Sequence, residues 1–249
     1  MKNAAAMPAP AAGSALRDQR EKERRLVYVR QLGVRITHWT VVTCVVILVT
    51  TGTYISHPFT VGGSARDPMV MATVRVTHFY TAIVFDVAVF ARIALMFLGN
   101  RYARWDQFIP VTKARWRNVL ESLKFYLFLR RTPAPAVGHD ALDGLVFTVR
   151  FLIDFVIIFT GFAMYSRFTS YKSPLSYFHV LLPVFGGFQH TRWLHHVMMW
   201  VFLAFVAQHV TRVVLLAALK RDGTVESMFS GYKFVSSEEL AEDESALQR

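Results

Sequence analysis

Four stretches of this chain, roughly 36–56, 76–98, 144–165 and 193–219, are almost wholly apolar and each exceeds twenty residues. At about 1.5 Å of rise per helical residue, each can cross a hydrocarbon core of about 30 Å. Inside lipid every backbone N–H and C=O must be bonded within its own segment, so such a run is a helix. A soluble domain of 249 residues, even one 53% hydrophobic, can bury a good core without runs of this length. The chain therefore reads as an all-α membrane protein, a bundle of four transmembrane helices.

The formal net charge of +11 is explained by where the charges sit, and no nucleic-acid partner is needed. Lysine and arginine number 8 in residues 1–35, 8 in 99–143 and 4 from 219 onward, but only 1 in 57–73 and 2 in 166–189. That asymmetry is the positive-inside pattern. It predicts cytoplasmic N- and C-termini, a cytoplasmic middle loop, and a multi-pass protein of a bacterial inner membrane, surrounded by lipid. Residues 1–27 read as a disordered basic leader, 28–233 as the transmembrane domain and 234–249 as an acidic disordered tail. F-Y-L-F-L-R-R (125–131) in the middle loop reads as an interfacial amphipathic segment. The single cysteine, Cys44, gives neither a disulfide framework nor a C-x-x-C-H haem attachment.

The histidines carry the chemistry. His57, His139, His179 and His190 fall in loops or at their edges, where a solvated imidazole is the simplest reading. His38, His78, His195 and His209 fall inside the spans, where an ionisable side chain points to function. At about 100° per residue, a separation of 14 returns to within about 40° of the starting direction. His195 therefore shares a face with His209, and His196 does not. The rise between the two is about 21 Å, which leaves one site near each membrane surface. With the orientation above, His38 pairs in depth with His209 at the inner surface, and His78 with His195 at the outer. Two imidazoles on different helices at one depth suit the axial positions of a haem iron, so the pattern predicts two bis-histidine b haems. Zinc or copper would need carboxylate or thiolate partners that these depths lack.

The same 14-residue arithmetic marks Gly52 after His38, where a missing side chain would let the first helix pass close to the outer haem. It also marks Arg92 after His78, within reach of inner propionates. Arg35 and Arg75, each three residues before a predicted ligand, are further propionate candidates; the plainer reading of either is a side chain snorkelling to head groups. Arg150 and Asp154, spaced i,i+4, can neutralise one another. With Asp86, Asp154 could instead belong to a proton path. Arg35, Asn100 and Arg101 mark a possible quinone region near the inner haem. A haem-free scaffold with merely hydrogen-bonded histidines is the alternative from a different class.

Several motifs together resemble the b-type cytochrome subunit of membrane-bound nickel–iron uptake hydrogenases. They are R-I-T-H-W (35–39), T-G (51–52), R-V-T-H-F (75–79), R-I-A-L-M-F-L-G-N-R-Y-A-R (92–104), F-Y-L-F-L (125–129), G-H (138–139), T-G-F-A-M-Y-S (160–166), H-H-V-M-M-W (195–200), H-V (209–210) and D-G-T-V-E-S-M-F-S-G-Y-K (222–233). The resemblance covers about Tyr28 to Lys233. It implies haem ligation at the same four histidines. It also implies a small iron–sulfur subunit and a large nickel–iron subunit as partners, with a quinone as electron acceptor. Gamma subunits of formate dehydrogenase share the ligand plan, so another dehydrogenase is the alternative electron source. The chain departs from the family pattern at G-H-D-A (138–141), at Met198 and at Val210-Thr211, none of which is a ligand position.

Overall fold

The computed structural model describes residues 24–58, 68–131, 137, 141–237 and 239–241. His139, the leader up to residue 23 and the tail from 242 lie outside the described residues. The four apolar runs are helices α1 (Leu32–Ser56), α2 (Pro68–Leu98), α4 (Ala141–Ser166) and α5 (Phe188–Lys220), with a shorter α3 (Lys113–Tyr126) between the second and third. All four are long and apolar enough to span a membrane. They overrun the apolar runs, because α2 has 31 residues and α5 has 33. Those helices rise about 46 and 50 Å, well past the hydrocarbon thickness. Threonines inside α1 do not interrupt it, since Thr37, Thr43, Thr50 and Thr51 each donate to the carbonyl four residues back.

The bundle is two antiparallel hairpins. In the first, Gly33 near the start of α1 lies against Leu95 near the end of α2, and Thr51 near the end of α1 meets His78. In the second, Phe147 of α4 packs on His209 of α5, and Thr160 meets His195. Aromatic contacts join the hairpins: Phe79 stacks on Tyr165 at 3.8 Å, Phe85 meets Phe202 at 6.4 Å, and Phe90 meets Phe155 at 6.1 Å. Cys44, Phe85, Val89, Met96, Phe108, Phe151 and Ile158 form the buried core. Apolar residues on the outer faces, such as Val46, Val87 and Val214, stay exposed. With lipid outside, close packing and polar contacts, not apolar burial, favour helix association.

One end of the bundle carries a two-stranded sheet. Strand β1 (Arg24–Tyr28) pairs antiparallel with β2 (Tyr232–Ser236), in register from Arg24 opposite Ser236 to Tyr28 opposite Tyr232. The bundle is therefore not purely helical. Residues 24–27 and 234–236, outside the expected 28–233 span, take part in this sheet. R-R-L-V-Y and Y-K-F-V-S are short and charged, and their pairing spans almost the whole chain, so no local pattern reveals it. Val29 and Val235 bury beneath the sheet with Tyr102 and Val137. The helix ends are tied to this platform. Asn100 donates from Nδ2 to the Val29 carbonyl (3.2 Å) and from its backbone N–H to Gln31 Oε1 (2.9 Å). Trp39 Nε1 donates to Met228 O at 3.1 Å, and Arg35 donates to Phe229 O.

Helix α3 is capped by Thr112, whose hydroxyl accepts from Arg115 N at 3.2 Å. Its exposed Trp116, Leu120 and Leu123 recur at helical spacing and continue to Leu127. The amphipathic helix thus lies upstream of the predicted 125–131 segment, because Phe128 takes a φ of 60° and ends it. At the end away from the sheet, an apolar helical segment, Pro174–Val184, folds onto α4 through stacked Phe162 and Phe178 at 4.8 Å. Gly186 and Gly187, at φ 81° and 92°, turn the chain into α5.

Candidate functional site

At the end away from the sheet lie His78 of α2 and His195 of α5, near enough for their charges to interact. Each imidazole is held by the neighbouring helix of its own hairpin. Thr51 Oγ1 lies 2.8 Å from His78 Nδ1, and Thr160 Oγ1 lies 2.9 Å from His195 Nδ1. A threonine hydroxyl has one proton to give. Thr51 directs its proton to Ile47 O at 2.7 Å, and Thr160 directs its own to Val156 O at 2.6 Å. Nδ1 is therefore the protonated nitrogen of both rings. Nε2 then carries the lone pair, which makes it the nitrogen able to bind a metal.

A glycine follows each of these threonines. A Cβ on Gly52 would lie 3.2 Å from His78 Cε1, and one on Gly161 would lie 3.5 Å from His195 Cε1. The sequence picked out Gly52 for close approach to a cofactor; in the structure its missing side chain clears the His78 ring. Thr51, Thr160 and Gly161 were not singled out as site residues. The available signal was the Thr-Gly dipeptide recurring in α1 and α4 at the depth of the histidines.

Towards the sheet, His38 of α1 and His209 of α5 form a second electrostatically interacting pair. Aromatic rings flank it. His209 stacks on Phe205 with 6.0 Å between centroids and meets the edge of Phe147 at 5.4 Å, while His38 lies edge-on to Trp39 at 5.3 Å. Arg30 and Arg150 both act electrostatically on this pair. Burial pushes the Arg30 guanidinium down to about 10. Arg30 escaped the sequence reading because only its burial distinguishes it from the other arginines near the N-terminus. Arg150 forms the expected ion pair with the fully buried Asp154 at 2.9 Å, and Asp86 is also buried.

The other predicted cofactor residues divide. Arg92 lies over the Phe108 ring at 5.0 Å and keeps a buried Nη1 without a hydrogen-bond partner. Arg35 is committed through Nη1 to Phe229 O, but its buried Nε has none. Arg75 is exposed on α2. Asn100 is used at the sheet platform and retains a buried, unbonded Oδ1, while Arg101 lies over Tyr102 at 4.8 Å. His196 is turned away from the paired site, as helical spacing predicts: its Nε2 accepts from Trp200 Nε1 at 3.3 Å and its ring faces His57 at 6.4 Å. His57 and His179 are exposed, and His190 packs edge-on to Trp193.

This donor set fits haem. Among the described residues, no three His, Cys, Asp or Glu side chains converge on one point. A protein cage of four ligands for zinc needs more than two imidazoles, whereas a porphyrin supplies four nitrogens and asks the protein for two axial ligands. The unpartnered Nη1 of Arg92 suits a group with carboxylate arms.

The chain is similar to known proteins over most of its length. The profile of the family described as prokaryotic cytochrome b561 matches residues 29–231. The "Probable Ni/Fe-hydrogenase 1 B-type cytochrome subunit" of Escherichia coli (strain K12) is 34% identical over 212 residues, covering 83% of this chain and 90% of its own. Proteins named "Probable Ni/Fe-hydrogenase B-type cytochrome subunit" from Bradyrhizobium diazoefficiens and Rhodobacter capsulatus are 34% and 35% identical. They cover 91% and 89% of this chain, and 92% and 87% of their own. With its four membrane-crossing helices and this match over most of its length, the chain belongs to the prokaryotic cytochrome b561 family.

Proposed function

We propose that this protein is the membrane anchor and electron-transfer subunit of a nickel–iron hydrogenase, taking electrons from the small iron–sulfur subunit and delivering them to the quinone pool by way of two b haems. The observation that carries the reading is the far pair, in which both imidazoles have Nδ1 tied down and Nε2 free for a metal. The names of the relatives supply the hydrogenase. The distribution of lysine and arginine supplies the orientation: the sheet end faces the cytoplasm, and the His78/His195 end faces outward toward the hydrogenase subunits.

When bound, haem b supplies one-electron chemistry at iron. The polypeptide's own tasks are to hold, orient and insulate. His78 and His195 would ligate the outer haem, and His38 and His209 the inner one. Phe147 and Phe205 pack around His209 and keep water from it. Arg92, with Arg30 and Arg150 nearby, offers positive charge to carboxylates at the inner site. The ion pair with Asp154 neutralises Arg150 at mid-bundle. At the sheet end, Arg35 Nε remains as a buried donor for a quinone carbonyl and Asn100 Oδ1 as a buried acceptor for a quinol hydroxyl. The test is an optical difference spectrum of the purified complex on admitting hydrogen and then dithionite. We expect a b-type α-band with hydrogen, and haem assay should show His78→Ala and His209→Ala each losing one of two haems. A band that dithionite alone produces, in a complex with active hydrogenase, would reject the electron source. The absence of a band in intact protein would reject the cytochrome and leave a scaffold.

A further inference from the structure

The threonines behind the far histidines form a repeated device. Thr51 of α1 holds His78 of α2, and Thr160 of α4 holds His195 of α5, at 2.8 and 2.9 Å. Both hydroxyls donate to the carbonyl four residues back, both accept from Nδ1, and both are followed by a glycine that clears Cε1. A threonine within a helix is already satisfied by its own carbonyl, so neither hydroxyl needs the histidine for its own sake. The sheet-end pair has a different setting, with aromatic rings against His209.

We infer that Thr51 and Thr160 are positioning residues that lock His78 and His195 with Nε2 toward the metal and hold the potential of the outer haem down. The inference rests on these histidines being haem ligands. An acceptor on Nδ1–H makes the imidazole a stronger electron donor through Nε2. That favours the ferric over the ferrous state. Replacing the hydroxyl by a methyl group removes the acceptor while keeping shape and volume.

The experiment is a potentiometric titration of the full-length protein in its purified complex, following each haem by its low-spin EPR signal, for Thr51→Val, Thr160→Val and the serine variants at both positions. Either valine variant should raise the outer potential. At fixed poise the reduced-to-oxidised ratio of that haem should rise roughly two- to tenfold, the span of one neutral hydrogen bond; tenfold is 59 mV for one electron. The inner haem should stay put, and serine should restore the wild-type value. An unchanged or lowered outer potential would overturn the proposal, as would equal movement of both haems or a serine variant that behaves like valine. His78→Ala, measured alongside, separates the two claims: if it keeps both haems, the ligand assignment fails; if it loses one while the valine variants do not shift, only the threonine role fails.

Discussion

Replacing Asp222 with alanine should release the small sheet while leaving the helices in place. Asp222 lies just past the end of α5, and its Oδ2 meets Lys233 Nζ of β2 at 3.0 Å, with side chains only 7% and 9% exposed. Its Oδ1 accepts from Thr224 N at 3.1 Å and from Thr224 Oγ1 at 2.6 Å. Alanine leaves the Lys233 ammonium buried without its partner and two donors unsatisfied. Breaking a buried pair from one side costs about 3–5 kcal/mol. Because the sheet can open to water locally, the lower figure applies, about 3 kcal/mol, or roughly a hundredfold in an opening equilibrium. Amide hydrogen exchange in detergent, read on peptides covering β1 and β2, should therefore quicken by about two powers of ten. Peptides from the middle of α1 and α2 should be unaffected. The double variant Asp222→Leu with Lys233→Met removes both charges and should regain most of the protection. Wild-type exchange in the single variant would refute the reasoning, and so would a double variant no slower than the single.

The same carboxyl makes the sheet acid-sensitive. Burial raises its pKa, but Lys233 and Thr224 outweigh burial and hold it below the ordinary carboxylate range. A depressed folded-state pKa means the stabilisation is complete above about pH 4, the unfolded value. It is lost as pH falls through the folded value, so sheet exchange should accelerate only in that acid window; acceleration already at pH 6 would contradict this. Gly52→Ala places a Cβ 3.2 Å from His78 Cε1 and must push the ring by a few tenths of an ångström, whereas Gly161→Ala at 3.5 Å from His195 sits at ordinary contact. EPR g-values of the outer haem should therefore move in the first variant and not in the second. Gly144→Ala brings a Cβ into clash with Gln107 O and to 2.8 Å from Phe108 Cα. That overpacks backbone against backbone and should cost about 1–3 kcal/mol or more, seen as a lower melting temperature in detergent.

Residues with a periodic or depth-dependent signature were legible in the sequence. Hydropathy marked the four spans because lipid permits few other structures. A 14-residue spacing assigned His195 rather than His196 to the face of His209, and the structure turns His196 toward Trp200 and His57. Thr51 and Thr160 were not legible as site residues. A helical threonine bonds its own backbone whether or not a histidine lies beyond it, so the residue type alone says nothing. Arg30 was hidden for a related reason, since charge is visible in a sequence and burial of that charge is not. The pairing of Arg24–Tyr28 with Tyr232–Ser236 is non-local, and neither strand has an apolar alternation strong enough to announce it.

That pairing also sets an order of assembly. β1 is made before the four long helices, and its partner strand after them. Both edges of β1 must remain unpaired while two helical hairpins enter the membrane, and an unpaired strand edge is open to wrong partners. The arginines at positions 24 and 25 keep that waiting strand soluble. Once β2 arrives, Arg24 can reach the carbonyl of Arg221 at 3.0 Å, and the two segments flanking the helices become one latch. A chain cut short before Tyr232 could insert all four helices and still lack the closure that fixes how its two hairpins meet.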